Sequence, residues 1–364
     1  MNRTLKWPEV FSLAGLNAAV VISWIAYHEY QPVLIQKFNF DQLAEFLVLS
    51  KAIILVVIPP IAGLVADRLM KKNGNYFTVF TVGIGATAMI FMVVATIIGA
   101  GPLSQIRSFL PIMIVLWLIA MNLFISPANS MIEAFAPAHK LPLVMGVLVL
   151  ITELLYALEP VIVSLVSFFG DTLTFIVGGI LIAGTGIIFH RVSSNEVISR
   201  KKELMDQEQN TTRSFNYLGV VAIIIVGLQL GVGKALITEF LPHYLSTNFN
   251  FASDTSSYIS FGLLGFSAVV AFGTSLFVSK VPLTNLLIAG FSILVVGVTG
   301  FLVSSDGQVA VVFAAVAAIA FSLLNISGLP FTIKNLSVRH VTYGVGVFIG
   351  ASEVFSGLFE YYLH

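Results

Sequence analysis

Residues 76–100 read YFTVFTVGIGATAMIFMVVATIIGA, 25 positions without a charge, a proline or a side-chain amide. A helix needs about 20 such residues to cross a hydrocarbon core about 30 Å thick. Inside a bilayer the backbone must satisfy its own hydrogen bonds, so the stretch reads as one transmembrane helix. Working outward in both directions, ten more segments read the same way. The full set is 8–31, 43–66, 76–100, 109–134, 142–168, 172–190, 216–245, 257–279, 283–304, 308–333 and 342–363. None shows the ~10-residue alternation of an outer-membrane barrel strand. The fold class is therefore an all-α polytopic membrane protein.

Composition excludes several function classes. Of 364 residues, 57% are hydrophobic and 10% charged, against about 25% charged in a soluble domain. The formal net charge is +0, so no basic face points to nucleic acid. There is no cysteine, and the six histidines lack a metal-ligand spacing, so neither a metal nor a cofactor is expected. No Walker pattern and no nucleophile–base pair at a common depth appears, so no enzyme activity and no internal ATP drive are expected. The first apolar segment runs on through Tyr27-His28-Glu29-Tyr30 with no small-residue cleavage pattern, and reads as a true span rather than a signal peptide.

Lys and Arg placement sets the orientation. One side of the expected bundle collects Arg3, Lys6, Arg68, Lys71, Lys72, Lys140, Arg191, Arg200, Lys201, Lys202, Arg213, Lys280, Lys334 and Arg339; the other has only Lys37 and Arg107. This bias predicts a cytoplasmic N-terminus in a plasma (inner) membrane. The polar stretch 191–215 divides the chain into an N-terminal six-helix half (1–190), a cytoplasmic linker and a C-terminal half (216–364) with five visible spans.

The halves resemble each other. Glu29-Tyr-Gln-Pro32 followed by Phe38-Asn39-Phe40 matches Glu239-Phe-Leu-Pro242 followed by Phe249-Asn250-Phe251, with one residue inserted. Gly146 and Glu153 in span 5 match Gly346 and Glu353 in span 11, and Ile125-Ser126 in span 4 matches Ile326-Ser327 in span 10. A repeat of six spans in one orientation fits a parallel-repeat transporter with its site between the halves. Carried to its end, the repeat leaves the last helix apparently missing, with eleven spans visible.

After span 2 the chain reads Gly63-Leu-Val-Ala-Asp67-Arg68-Leu-Met-Lys71-Lys72. This resembles the major facilitator superfamily signature G-x-L-A-D-R-x-G-R-K, with Val65 and Met70 as departures. The resemblance implies a bundle of two pseudo-twofold-related six-helix halves that works as a monomer. It also implies that Gly63, Asp67, Arg68, Lys71 and Lys72 form a cytoplasmic gating motif, Asp67 and Arg68 latching the halves. Spans 1, 4, 7 and 10 would line a solute path, flanked by 2, 5, 8 and 11.

A charge at bilayer depth costs about 2.5–3.5 kcal/mol on insertion scales, so it faces a cavity or a partner. Glu153 and Glu353 lie about ten residues, or roughly 15 Å, into their spans, near the midplane. They read either as a proton-titrating or substrate-binding pair, or as counter-ions that fix packing. Lys51 and Lys234, the two basic residues within spans, require acidic partners or an anionic ligand. His28, Glu29, Glu159, Glu239 and Glu360 form an outer cluster, in which the four glutamates read as charges near the headgroups. Polar stripes add Asn17, Trp24, His28 and Gln31 on span 1, Asn122, Ser126, Asn129 and Glu133 on span 4, Gln229, Gly233, Phe240 and His243 on span 7, and Asn325 and Thr332 on span 10. Aromatic groups beside amides suit a sugar or another hydroxylated solute, although Asn and Ser also bind helices together.

The expected function is a secondary active transporter that moves a small solute by alternating access, coupled to protons through Glu153 or Glu353. The alternative is a non-transporting membrane sensor or a truncated, inactive relative. Substrate, direction and coupling ion are not readable from these residues.

Overall fold

The computed structural model describes residues 4–75, 77–101, 105–209 and 217–363. Arg3, Arg213 and His364 lie outside them. Among the described residues the α-helices are α1 (Trp7–Lys37), α2 (Ala44–Asn73), α3 (Thr78–Ala100), α4 (Leu110–Ser130), α5 (Ile132–Phe135), α6 (Leu141–Ala157), α7 (Glu159–Phe169), α8 (Asp171–Gln209), α9 (Tyr217–Ala235), α10 (Leu241–Phe249), α11 (Ser253–Ser275), α12 (Leu283–Val303), α13 (Gly307–Asn335) and α14 (Val341–Leu363). Among the described residues eleven helical segments are long and apolar enough to cross a membrane. α7 prolongs the fifth span, and a π-helical turn, Leu236–Phe240, joins α9 to α10 within the seventh. We call the end where the chain begins the basic end and the opposite one the far end.

The repeat is visible in the backbone. Among the described residues two non-glycine positions have positive φ, Asn39 at 58° and Asn250 at 54°. They are the repeat-related asparagines that end the first and seventh spans. Asn tolerates the left-handed region better than most residues, so the same local solution closes both halves. Aromatic cores mirror one another as well: Trp24, Tyr27 and Trp117 pack in the first half, with Tyr27 and Trp117 stacked at 4.8 Å. Phe240, Tyr244 and Phe301 pack in the second, with Tyr244 and Phe301 at 4.9 Å.

The stretch expected as a linker is largely helix. α8 continues from its membrane span to Gln209, while 210–216 lie outside the described residues. Positions 191–209 contain neither Gly nor Pro and are rich in helix formers, so nothing stops the helix where the apolar run ends. The extension lies against the basic end of the first half. Lys201, 1% exposed, pairs with Glu133 at 3.3 Å, and Glu196 pairs with Lys6 at 3.2 Å.

Two seams join the halves. Along the first, α2 and α14 approach through glycines: an added Cβ on Gly63 would strike the Thr342 carbonyl, on Gly346 the Pro59 carbonyl, on Gly350 the Val56 carbonyl and on Gly357 the Ala52 side chain. Gly346, Gly350 and Gly357 fall on one helix face by their spacing. Small residues at such intervals let backbones meet in a bilayer, where the hydrophobic effect between helices is absent. On its other side α14 meets Gly227 and Gly231 of α9 in the same way. Along the second seam α6 packs on α11, where Gly146 abuts Ser275 and Gly265 abuts Ala157. Gly146 and Gly346 are repeat partners, so the two seams are pseudo-symmetric at their basic ends.

Candidate functional site

The seam between the halves widens into a cavity of about 410 Å³. Its wall draws on α1 (Trp24, His28), α2 (Lys51, Leu55), α4 (Asn122, Ile125), α6 (Glu153, Tyr156) and α14 (Ile349, Glu353, Ser356, Gly357, Glu360). Glu159 of α7, Lys234 of α9, Thr238 and Glu239 of the π turn and Pro242 of α10 continue it. Ser257, Ser260, Phe261 and Leu264 of α11 complete the wall at i, i+3, i+4 and i+7, one helix face.

Below the cavity the basic end is closed. The Asp67 carboxylate, 5% exposed, accepts hydrogen bonds from the backbone N–H of Thr342 at 3.3 Å and of Tyr343 at 2.8 Å. These are among the first N–H groups of α14, which have no partner within their own helix, so Asp67 caps α14 from the other half. Ser130 of α4 adds a bond with the Thr342 hydroxyl at 3.3 Å, and the Ser126 hydroxyl donates to the Pro59 carbonyl at 2.9 Å. Arg68, Lys71 and Lys72 are exposed, and Arg68 makes no bond to the other half among the described residues. The expected latch pair is thus Asp67 alone at this contact, because one residue along a helix turns the side chain by about 100° away from the α14 face. Met70, which replaces the second signature glycine, is buried inside α2; the turn glycine is Gly74, with φ 66°, whose N–H bonds the Met70 carbonyl at 2.8 Å.

At the far end the seams diverge. α6 ends at Ala157, opposite Gly265, and the chain turns at Leu158 before Pro160 restarts it as α7. α7 then packs on α1 and α8, while α10 lies along α11. Glu159, Glu239, Pro242, Ser257 and Phe261 line this end of the cavity, between α7 and the pair α10–α11.

Ion pairs cross the cavity wall. Lys234 Nζ lies 2.7 and 2.9 Å from the two Glu353 oxygens. Lys51 Nζ lies 2.9 Å from Glu360 Oε1 and 3.0 Å from His28 Nε2. An ammonium group only donates, so that His28 nitrogen is the acceptor. The Lys51 charge also sits 5.8 Å from the centre of the Tyr27 ring. Glu153 has no cation partner among the described residues; Asn325 Nδ2 donates to its Oε1 at 3.5 Å.

Of the residues expected on the solute path, Trp24, His28 and Asn122 line the cavity together with Glu153, Glu353, Lys51 and Lys234. The others do not. Asn17 lies about 10 Å along α1 from Trp24 toward the closed end, and Gln31 is half-buried beyond the lining. Asn129 donates to the Ile125 carbonyl at 3.0 Å, Ser126 is spent on Pro59, and Asn325 reaches the cavity only through Glu153. Gln229, Phe240 and His243 are displaced by the π turn: an unbroken α-helix puts them on one face, but the extra residue in one turn holds the phase back by roughly 100°. Phe240 therefore packs at 5.3–5.9 Å on Tyr244, Phe301 and Phe359, and Glu239 and Pro242 take the wall. His243 is exposed off the wall. Glu159, Glu239 and Glu360, read from sequence as headgroup charges, line the cavity; Glu29 does not. Tyr156, Thr238 and the α11 face were not anticipated, although the Ser257–Leu264 spacing was there to be read.

A family-level sequence profile described as Major Facilitator Superfamily matches residues 32–359. No curated protein sequence matches the chain. Among solved structures, the chain is similar to the MFS proton:xylose symporter XylE bound to 6-bromo-6-deoxy-D-glucose. The identity is 14%, covering 97% of this chain and 88% of that one, with a TM-score of 0.66. It is similar to a bacterial homologue of the iron transporter ferroportin in an outward-facing state with soaked iron (15% identity, 97% and 90% covered, TM-score 0.63). It is also similar to the human organic anion transporter MFSD10 (12% identity, 97% and 93% covered, TM-score 0.59). At these identities the likeness is one of fold, and the three proteins are named for three different kinds of solute.

Proposed function

The chain belongs to the major facilitator superfamily, and we propose that it is a secondary active transporter, moving a small solute by alternating access and coupled to protons. The observation that carries this reading is the one-sided closure of the central cavity. Asp67 and the glycine contacts seal the basic end, while at the other end α7 packs on α1 and α8, α10 packs on α11, and Glu159, Glu239 and Pro242 of these elements line the cavity. The Lys and Arg bias supports a cytoplasmic basic end in a plasma (inner) membrane, with the cavity facing outward. Glu353 is occupied by Lys234, so its carboxylate serves as a fixed counter-ion. Glu153 is buried at the floor, bonded by Asn325 and without an ion-pair partner among the described residues, and is the group we assign to proton binding.

The test is transport in proteoliposomes, with solutes first selected by their stabilisation of the purified chain, since a ligand of the native state raises its apparent stability. An imposed pH gradient should drive accumulation by the unaltered protein. Glu153→Gln should lose gradient-driven accumulation yet retain solute exchange. Normal accumulation by Glu153→Gln would remove it from the coupling. A stabilising solute that is neither exchanged nor accumulated by the unaltered protein would favour the membrane-sensor alternative.

A further inference from the structure

We propose that the cavity takes an organic cation, an ammonium-type group on an apolar body; this rests on the reading of the cavity as the solute site. Charge bookkeeping is the first argument. Glu153, Glu159, Glu239, Glu353 and Glu360 line the cavity, against two basic side chains, Lys51 and Lys234. Each lysine is already matched, Lys51 by Glu360 and Lys234 by Glu353, and His28 accepts from Lys51. Glu153, Glu159 and Glu239 are left without an ion-pair partner among the described residues. Carboxylates withdrawn from water are costly unless they are matched, and a bound cation supplies the match.

A second observation is independent of these carboxylates. Ser356 is 8% exposed and lines the cavity, and its hydroxyl has no hydrogen-bond partner among the described residues. It stands on the α14 face between Glu353 and Glu360, at i+3 and i−4 from them. A buried hydroxyl left unmade costs about 1–3 kcal/mol, and in the wall of the cavity a ligand's polar atom would relieve that cost. Trp24, Tyr156 and Phe261 also belong to the wall, and aromatic rings attract cations.

Other solute classes fit less well. A sugar needs uncommitted amides, but the Asn122 amide donates to the Leu118 carbonyl at 2.8 Å and Asn325 is held by Glu153. An organic anion would meet three unmatched carboxylates. A bare metal ion needs converging ligands, and among the described residues no three His, Cys, Asp or Glu side chains converge to hold one.

The experiment compares two ions of one shape and opposite charge, tetraphenylphosphonium and tetraphenylborate, with xylose and Mn²⁺, binding to the full chain in nanodiscs made from zwitterionic lipid. Tetraphenylphosphonium should bind saturably and at least about tenfold more tightly than the borate. Glu153→Gln and, separately, the rim variant Glu159→Gln should each weaken it severalfold. If Glu153→Gln is not monodisperse, Glu159→Gln and Ser356→Ala carry the test. Preference for tetraphenylborate, xylose or Mn²⁺, or phosphonium binding indifferent to every variant, overturns the organic-cation assignment and leaves the transporter reading standing. Charge-selective, variant-sensitive binding without uptake into proteoliposomes keeps the ligand class and overturns transport.

Discussion

The α2–α14 seam and the α6–α11 seam begin alike and end differently. Both open at the basic end with a glycine pressed against the opposite helix, Gly346 on Pro59 and Gly146 on Ser275. The first then stays closed to the far end, through Gly350, Gly357 and the Lys51–Glu360 pair. The second reaches Ala157 and Gly265 and stops, because α6 ends there and α7, beyond Leu158, packs on α1 and α8. The polar cap differs too. Where α14 presents the N–H of Thr342 to Asp67, the repeat position on α6 is Pro142, which has no N–H, and Phe277, in the stretch matching Asp67 just past the end of α11, is exposed. One duplicated interface has thus become a continuous polar-capped seam and the other a short apolar contact beside an opening.

The comparison breaks most decisively at the backbone. Gly346→Val should cost at least about 3 kcal/mol, or prevent folding, because α2 and α14 cannot separate at one point without losing the whole seam. Gly265→Ala, whose added Cβ would sit a tight 3.3 Å from the Ala157 methyl, against an outright clash with the Pro59 carbonyl at Gly346, should shift a thermal melt far less. Next in size, Lys234→Met leaves the half-buried Glu353 without its cation and should cost about 1–3 kcal/mol in urea or thermal unfolding. The double variant Lys234→Met/Glu353→Met should recover much of it, as buried pairs replaced together usually do. Asp67→Ala removes the cap of α14 and should cost about 1–2 kcal/mol. Since the chain has no cysteine, a single Ser130→Cys reports on the closed end: its labelling should speed up in the Asp67→Ala background, whereas Phe277→Ala should leave it unchanged. The smallest effect is expected at the exposed pair Lys37–Asp171, 2.6 Å apart, where Asp171→Asn should cost no more than about 1 kcal/mol and be masked by salt. Equal effects at the two seams would dissolve the contrast.

How much of this was legible depends on the range of the interaction. The eleven spans follow from composition over windows of about 20 residues, a local property, and all eleven appear. The repeat was also legible, because Asn39 and Asn250 mark it in sequence before their shared φ does. That Lys51 needed an acidic partner was plain from its depth. That the partner is Glu360 was not, since Glu29, Glu159 and Glu239 sit at similar depth and only the packing of α14 on α2 decides between them. The α8 extension was missed because the hydropathy signal ends at the membrane surface while helix propensity does not. The seventh-span face was missed because a π turn breaks the period on which that reading relied.

That wide turn has a consequence for how such a cavity changes over evolutionary time. A residue deleted from any plain α-helical span turns everything beyond it by about 100°, and every buried face of the remainder is lost. Leu236–Phe240 carries one residue more than an α turn requires. Deleting one position there restores an ordinary turn and leaves α9 and α10 in register on either side. Thr238 and Glu239 lie within it. This is the place where a lineage can add or discard a side chain facing the solute by insertion and deletion, with the rest of the helix undisturbed.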